Sequence, residues 1–157
     1  MASTLEGTIE LQNGMAFRAT SGSGHSITLD TSPDVGGTET GPTPMELLLL
    51  ALGGCTGMDV ISILRKARQD VTAYSISVQG DRRDEHPKVY TSITVEHTVR
   101  GRNLNPDVVH RAIMLSATKY CPASAMLAET ALMAARYRIV DEATGVETAG
   151  TLDGLNG

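Results

Sequence analysis

The sequence has few aromatic residues, only two cysteines and no excess of positive charge. Its 157 residues include four tyrosines, one phenylalanine and no tryptophan, and the formal net charge is -5. A nucleic-acid-binding surface needs basic side chains for the phosphates, and single-strand binders add aromatic rings for stacking bases. We therefore exclude nucleic acid as a partner. Because aromatic side chains are scarce, we expect the aliphatic residues and the seven methionines to fill the core.

The sequence also lacks a long uninterrupted apolar segment. Residues 1–10 contain no apolar core of a signal peptide. The longest uncharged run, residues 47–58, is shorter than the ~18 residues that a membrane span needs. We therefore expect a cytoplasmic protein that is not inserted in a membrane. In that compartment a disulfide between the two cysteines would be transient and chemical rather than structural.

Known metal and nucleotide motifs are missing as well. No Cys-x-x-Cys or His-Glu-x-x-His spacing occurs, and the glycines of residues 22–24 and 36–37 match neither the dinucleotide-binding nor the P-loop pattern. His25 and His97 fall on apolar faces of predicted strands, where a hydrogen-bonded core histidine is the usual explanation. We therefore expect no metal and no cofactor.

The first third of the chain alternates as half-buried strands do. Leu5, Ile9 and Leu11 share one face, and Asn13-Gly14 is a hairpin turn signal. On the next strand, Arg18 points away from the face that Phe17 occupies. Residues 31–44 are rich in glycine, proline and threonine and predict a long loop.

Three helix starts follow, each with a proline at the first helical position. In the first, Thr43 is the expected N-cap and Glu46 completes a capping box. This helix is predicted to run to about Arg68, and because it is apolar nearly all round at residues 47–52 we expect it to be central and buried. The other two helices start at Asn105-Pro106 and Cys121-Pro122.

Strands and helices are grouped along the chain rather than alternating. The predicted order is β-β-β-α-β-β-α-α-β, with a strand pair over residues 74–78 and 89–99 and a closing strand at residues 137–140. This grouping predicts an α+β fold rather than a doubly wound one. We predict a single domain over residues 1–140 and a mobile tail over residues 141–157.

The two cysteines differ in their local settings. Cys121 is predicted to be the N-cap of a helix, where free backbone N–H groups and the helix dipole lower the pKa of a thiol. Cys55 lies about three turns into a buried helix, beyond the reach of the dipole, and follows Gly53-Gly54. Two helical glycines cost about 1 kcal/mol each relative to alanine, so something must approach the backbone there. The sequence alone leaves open whether either cysteine is chemical or only a small core residue.

Three charged residues could assist a thiol, and each also has a structural explanation. Glu46 is explained by the capping box and stands about half a turn out of phase with Cys55, so it could act only through a partner such as an arginine. Arg18 is a candidate for that partner, or a solvated surface residue. Asp59, one turn beyond Cys55, is expected to form hydrogen bonds rather than act as a base.

These segments resemble the OsmC/Ohr family (osmotically inducible protein C-like). The resemblance rests on Thr43-Pro44-Met45-Glu46 leading to Gly53-Gly54-Cys55, and on the second helical cysteine in Lys119-Tyr120-Cys121. It extends over nearly the whole chain, residues 5–140. Residues 23–25, 60–64, 68–71, 82–83 and 115–121 resemble the YhfA-like branch of that family most.

The resemblance implies an interlocked homodimer in which antiparallel sheets wrap around two long central helices. It also implies an antioxidant thiol peroxidase that reduces organic hydroperoxides. Cys55 matches the peroxide-attacking thiol, Cys121 the resolving thiol, and Glu46 the acid that pairs with an arginine, for which Arg18 lies in about the right segment. An external dithiol would reduce the resulting disulfide. The alternative is a non-enzymatic, stress-associated dimer that binds an apolar ligand between its chains.

Overall fold

The computed structural model describes residues 3–152 and 155–156. The chain divides into two compact units, Met1–Leu48 and Leu49–Gly157, where the sequence predicted one domain over residues 1–140. The grouping of strands and helices is the predicted one, and the α+β class is confirmed.

The first unit is built on a three-stranded antiparallel sheet. Its strands are β1 (Gly7–Asn13), β2 (Ala16–Ser21) and β3 (Ser26–Leu29), in the order β1-β2-β3. The predicted turn between β1 and β2 is confirmed, and Gly14 has the positive φ of 58° that glycine adopts readily. The sheet is short, and every residue of β1 is exposed.

The predicted loop of residues 31–44 is organised around one buried carboxylate. Asp30 is 3% exposed and accepts hydrogen bonds from the hydroxyls of Thr38 and Thr40, at 2.9 and 2.7 Å. It also accepts from three backbone N–H groups of the loop. The donors of Thr40, Thr31 and Thr38 hold the pKa of Asp30 far below its usual value, so the carboxylate stays ionised and fastens the loop to the end of β3.

Helix α1 (Pro44–Lys66) begins as the sequence predicts. The Thr43 backbone and hydroxyl donate to the Glu46 carboxylate at 2.8 and 2.9 Å, and the Glu46 N–H donates to the Thr43 hydroxyl at 3.2 Å. The helix ends two residues before the predicted Arg68. The reason is a Schellman-type stop, in which Arg68 has a φ of 55° and Gln69 donates its N–H to the carbonyl of Leu64.

The second unit contains a four-stranded sheet and the remaining helices. Its strands are β4 (Asp70–Arg82), β5 (Tyr90–Arg102), β6 (Leu132–Asp141) and β7 (Glu147–Leu152), in that spatial order. The sheet is mixed, not antiparallel as predicted, because β5 and β6 run parallel. A parallel pair needs a long crossover, and here it consists of α2 (Pro106–Leu115), a π-helical turn (Ser116–Tyr120) and α3 (Pro122–Ala128).

In place of the predicted mobile tail from residue 141, the chain forms a further strand. β7 pairs antiparallel with β6, and Leu152 and Leu155 are buried. The Asn156 amide donates to the carbonyls of Ala128 and Ala131. Sequence periodicity missed this segment because its buried residues are few; residues 153, 154 and 157 lie outside the described part of the chain.

Only one face of α1 is covered within the chain, contrary to the prediction of a fully buried helix. Residues 52, 53, 56, 60 and 64 are buried, whereas Leu48, Leu50 and Met58 are 45%, 60% and 75% exposed. A Cβ on Gly53 would lie 2.9 Å from Val78 of β4, so packing on the sheet explains that glycine. By length and composition α1 could also cross a membrane, a criterion that core helices of soluble proteins meet too.

Candidate active site

The structure brings the two cysteines together, although 66 residues separate them in the sequence. Cys55 is half-buried on α1, and Cys121 is 3% exposed at the start of α3. The Cys121 thiol is one of the influences on the pKa of Cys55, so the two side chains are neighbours in the fold. Both are free thiols. The arrangement is therefore a dithiol, and a single S–S bond would convert it to its oxidised form.

Backbone N–H groups at the start of α3 act on both cysteines. Cys121 is the N-cap, as predicted, and its sulfur accepts the N–H of Ser124 at 3.4 Å. The N–H of Ala123 lowers the pKa of the Cys55 thiol. A hydrogen bond from a backbone N–H stabilises a thiolate relative to a thiol. The N–H groups of the turn Cys121-Pro122-Ala123-Ser124 thus act on both thiols. The sequence predicted this effect for Cys121 only.

The net effect on Cys55 nevertheless opposes ionisation. Burial raises the pKa of its thiol, the hydrogen bond with Cys121 adds to the rise, and the negative charge of Asp59 contributes further. The Ala123 N–H acts in the opposite direction but does not compensate. Within the described residues, no cation is among the groups that set this pKa. The single chain therefore holds Cys55 as the neutral thiol near pH 7.

A buried hydroxyl pair lies directly beside the cysteines. Thr56, the residue after Cys55, and Ser116, the first residue of the π-helical turn, have hydroxyl oxygens 2.8 Å apart. The Ser116 hydroxyl also lies 3.0 Å from a carboxylate oxygen of Asp59. The expectation that Asp59 forms hydrogen bonds is confirmed. Thr56 and Ser116 were missed as site residues, because a lone hydroxyl on a helical face is indistinguishable in sequence from a solvated one.

Glu46 and Arg18 are placed in the first unit, both on exposed positions. Glu46 is held by the capping box, and the N–H and hydroxyl of Thr43 lower its pKa. Arg18 lies on β2 between Glu10 of β1 and Thr28 of β3. Across residues 3–152 and 155–156 the ion pairs are Arg102–Asp70 and Arg138–Glu147, so Arg18 and Glu46 are not paired with each other inside one chain.

A buried Tyr–His pair lies in the second unit. His97 is 1% exposed on β5, and its Nδ1 is 2.7 Å from the Tyr74 hydroxyl. Burial lowers the pKa of His97 to about 4, so its ring is neutral at pH 7. The interpretation of His97 as a hydrogen-bonded core histidine is confirmed; the same interpretation is wrong for His25, which is exposed and lies just before β3 rather than on it.

An open cavity of about 360 Å³ adjoins the buried thiol of Cys121. Its other lining residues come from the π-helical turn, from α3 and from the end of the chain, namely Ala117, Thr118, Lys119, Ala125, Ala128, Glu129 and Leu155. Leu155 belongs to the segment that was predicted to be mobile, so its position in the lining of this cavity was not predicted. Among the described residues, no cluster of three His, Cys, Asp or Glu side chains could hold a metal ion.

Comparisons with known proteins identify the family of this fold and site. Residues 37–133 match the sequence profile described as OsmC-like protein. Protein YhfA of Escherichia coli K12 is 37% identical over 136 residues, which cover 87% of this chain and 98% of that protein.

Solved structures agree with the sequence comparisons. A hypothetical protein from Aquifex aeolicus VF5 is 32% identical, with a TM-score of 0.79 over 90% of this chain and 99% of its own. The organic hydroperoxide resistance protein OsmC of Legionella pneumophila is 13% identical, with a TM-score of 0.62 over 85% of this chain and 95% of its own, and shows the shared fold alone. The chain therefore belongs to the OsmC-like protein family.

Proposed function

We propose that this protein is a thiol-dependent peroxidase that reduces organic hydroperoxides to alcohols through Cys55 and Cys121. The proximity of the two thiols, by which Cys121 influences the pKa of Cys55, is the observation that carries the proposal. Two cysteines that are neighbours in the fold, although 66 residues apart in the sequence, are candidates for a disulfide. The name of the Legionella relative, an organic hydroperoxide resistance protein, supports the choice of substrate class.

The reaction divides into two steps that share one sulfur. The Cys55 thiolate attacks the outer oxygen of the hydroperoxide, the O–O bond breaks, and Cys55 becomes a sulfenic acid while the departing alkoxide takes a proton from solvent and leaves as the alcohol. The Cys121 sulfur then attacks the sulfenic sulfur, an S–S bond forms, and the hydroxyl leaves with the Cys121 proton as water. An external dithiol reduces the disulfide by exchange and is itself oxidised.

The thiolate that starts this reaction needs a cation that the single chain does not place beside Cys55. In this proposal the protein is a homodimer, and the partner's Arg18, held by Glu46, provides that charge. The exposed apolar residues of α1 and β1, among them Leu50 at 60% and Ile9 at 60%, support an interface of this kind. Isolated apolar residues on a surface are common, but a stripe along one helix indicates a contact surface.

The proposed setting is the cytoplasm, where small dithiols and dithiol proteins are available as reductants. The cavity beside Cys121 gives such a reductant a way to the buried sulfur of the disulfide. Neither a metal nor a cofactor has a part in this scheme, since both electrons come from the thiols.

Intact mass after addition of one equivalent of cumene hydroperoxide tests the proposal. The wild type should lose about 2 Da, the mass of the two thiol hydrogens, as the disulfide forms. Cys55→Ser should abolish peroxide consumption, and Cys121→Ser should leave a sulfenic acid on Cys55 that dimedone labels. A wild-type mass that stays constant with peroxide would contradict the proposal.

A binding function is the second candidate, and the raised pKa of Cys55 favours it, since a buried thiol on which no cation of the described residues acts stays unreactive. In this case the protein is a non-enzymatic dimer that holds a small apolar ligand between its chains. It predicts thiols that do not react with peroxide and an apolar molecule that co-purifies with the protein. Native mass spectrometry of the freshly purified protein distinguishes the two functions.

A further inference from the structure

A chain of hydroxyl groups connects the two cysteine-bearing segments of the second unit. We propose that Ser116 is a positioning residue, which holds Cys121 against Cys55 through hydrogen bonds to Thr56 and Asp59 of α1. The hydrogen bonds of Ser116 are independent of any reaction, whereas their effect on catalysis rests on the proposed peroxidase function.

The hydrogen bonds in this chain have a definite direction. A hydroxyl group has one proton to donate, and an ionised carboxylate can only accept. The Ser116 hydroxyl therefore donates to Asp59 at 3.0 Å, and the Thr56 hydroxyl donates to Ser116 at 2.8 Å. Ser116 is fully buried and Thr56 is 3% exposed, so water does not compete for the bond between them, whereas Asp59 is half-buried. The last bond goes to a charged group and is the stronger kind.

Ser116 is tied to Cys121 by the backbone as well. The Cys121 N–H donates to the Ser116 carbonyl at 2.9 Å, which is the closing bond of the π-helical turn. On a regular α-helix with 3.6 residues per turn, residues five apart point to different sides. The wider π-helical turn brings them closer to one side. Both residues are consequently buried, and a shift of Ser116 would move Cys121 with it.

The step that this arrangement serves is the closing of the disulfide. Attack of Cys121 on the sulfenic sulfur requires the two sulfurs to meet in the geometry of an S–S bond. Attack of Cys55 on the peroxide requires the Cys55 thiolate and the substrate but not the sulfur of Cys121. Loss of the hydroxyl chain should therefore slow the second step and change the first step little, a split that a general loss of folding would not produce.

Thr56→Val and Thr56→Ser form the matched pair for the test, because valine keeps the shape of threonine without its hydroxyl and serine keeps the hydroxyl. Ser116→Ala removes the central group. Quenched-flow intact mass follows disulfide closure, and dimedone labelling in the Cys121→Ser background follows sulfenic acid formation. Closure should be about tenfold slower in Thr56→Val, as expected for one lost buried hydrogen bond, and at least as slow in Ser116→Ala, which loses two, whereas Thr56→Ser should keep the wild-type rate.

Equilibration with reduced and oxidised glutathione gives a readout that needs no peroxide. The equilibrium constant for the Cys55–Cys121 disulfide should fall about tenfold in Thr56→Val and Ser116→Ala relative to Thr56→Ser. If glutathione disulfide closes the bond with this dependence while peroxide does not oxidise the wild type, the peroxidase proposal fails and the role of Ser116 stands. Equal constants and equal closure rates in all variants would overturn the role of Ser116.

Discussion

Asp59 follows Cys55 by one helical turn on α1, and after burial and the Cys121 hydrogen bond its charge is a further cause of the raised pKa of that thiol. A carboxylate in this position opposes the thiolate that a peroxidase needs. It also accepts the hydrogen bond of Ser116. Asp59 therefore lowers the reactivity of Cys55, and in the proposal above it also accepts the hydrogen bond through which Ser116 positions Cys121.

Asp59→Asn should separate these two effects, because asparagine keeps an acceptor and removes the charge. The pKa of Cys55 should fall, so the pH profile of its alkylation by iodoacetamide should move to lower pH. Near pH 7 the rate should rise about threefold, and above the pKa of both proteins it should be the same. Both proteins carry Cys121→Ser so that Cys55 is the reacting thiol.

Asp84→Asn is the control for the change in net charge, since Asp84 is exposed between β4 and β5. Its alkylation profile should coincide with that of the parent. If the alkylation profile of Asp59→Asn also coincided with that of the parent, the charge of Asp59 would have no influence on the pKa of Cys55.

The uncovered face of α1 gives a prediction about assembly. Leu50 is 60% exposed on this helix. If a second copy packs there, Leu50→Lys places a charge in an apolar interface, and the protein should change from dimer to monomer in sedimentation velocity at micromolar concentration. Val146→Lys is the matched control, because Val146 is 58% exposed and lies between β6 and β7. It should leave the wild-type state unchanged, and a monomeric wild type would contradict the prediction.

Local signals predicted the elements around the site well. Thr43 with Glu46, Asn105 and Cys121 all start helices as N-caps, because a capping side chain and a following proline act within one turn and need no tertiary partner. The grouping of strands and helices along the chain predicted the α+β class correctly, and the resemblance to the family implied the same class. Neither source gave the end of α1, which stops at Lys66 because Arg68 adopts a positive φ that is rare for a non-glycine residue.

The features that the sequence did not reveal depend on contacts between distant segments. The parallel pairing of β5 with β6 needs the whole crossover, which no local pattern encodes. Ser116 becomes a site residue only because the π-helical turn brings it to Thr56, 60 residues earlier. β7 alternates weakly, since its partner β6 supplies the pairing rather than its own hydrophobicity.

Substitution of Asn156 tests whether the end of the chain is part of the folded unit. Its amide donates to the carbonyls of Ala128 and Ala131, and its oxygen accepts the N–H of Met133 at 2.8 Å. Asn156→Ala should lower the free energy of unfolding in urea by about 1–3 kcal/mol, because it leaves partly buried backbone groups without partners. Asn156→Asp should cost more, since a carboxylate would face the two carbonyls. A mobile tail would show no change in either variant.

The burial of His97 makes the stability of the protein depend on pH. Burial lowers its pKa from 6.5 to about 4, so between these values the unfolded chain binds a proton that the folded chain does not. The contribution of His97 to the free energy of unfolding is therefore fully present above pH 6.5. It falls by about 3 kcal/mol as the pH drops towards 4. His97→Gln, which keeps a polar group near the Tyr74 hydroxyl, should remove this part of the slope between urea denaturation curves at pH 4.5 and pH 7. The exposed His25→Gln is the control and should keep the wild-type slope, whereas equal slopes in all three proteins would mean that His97 is not buried as a neutral ring.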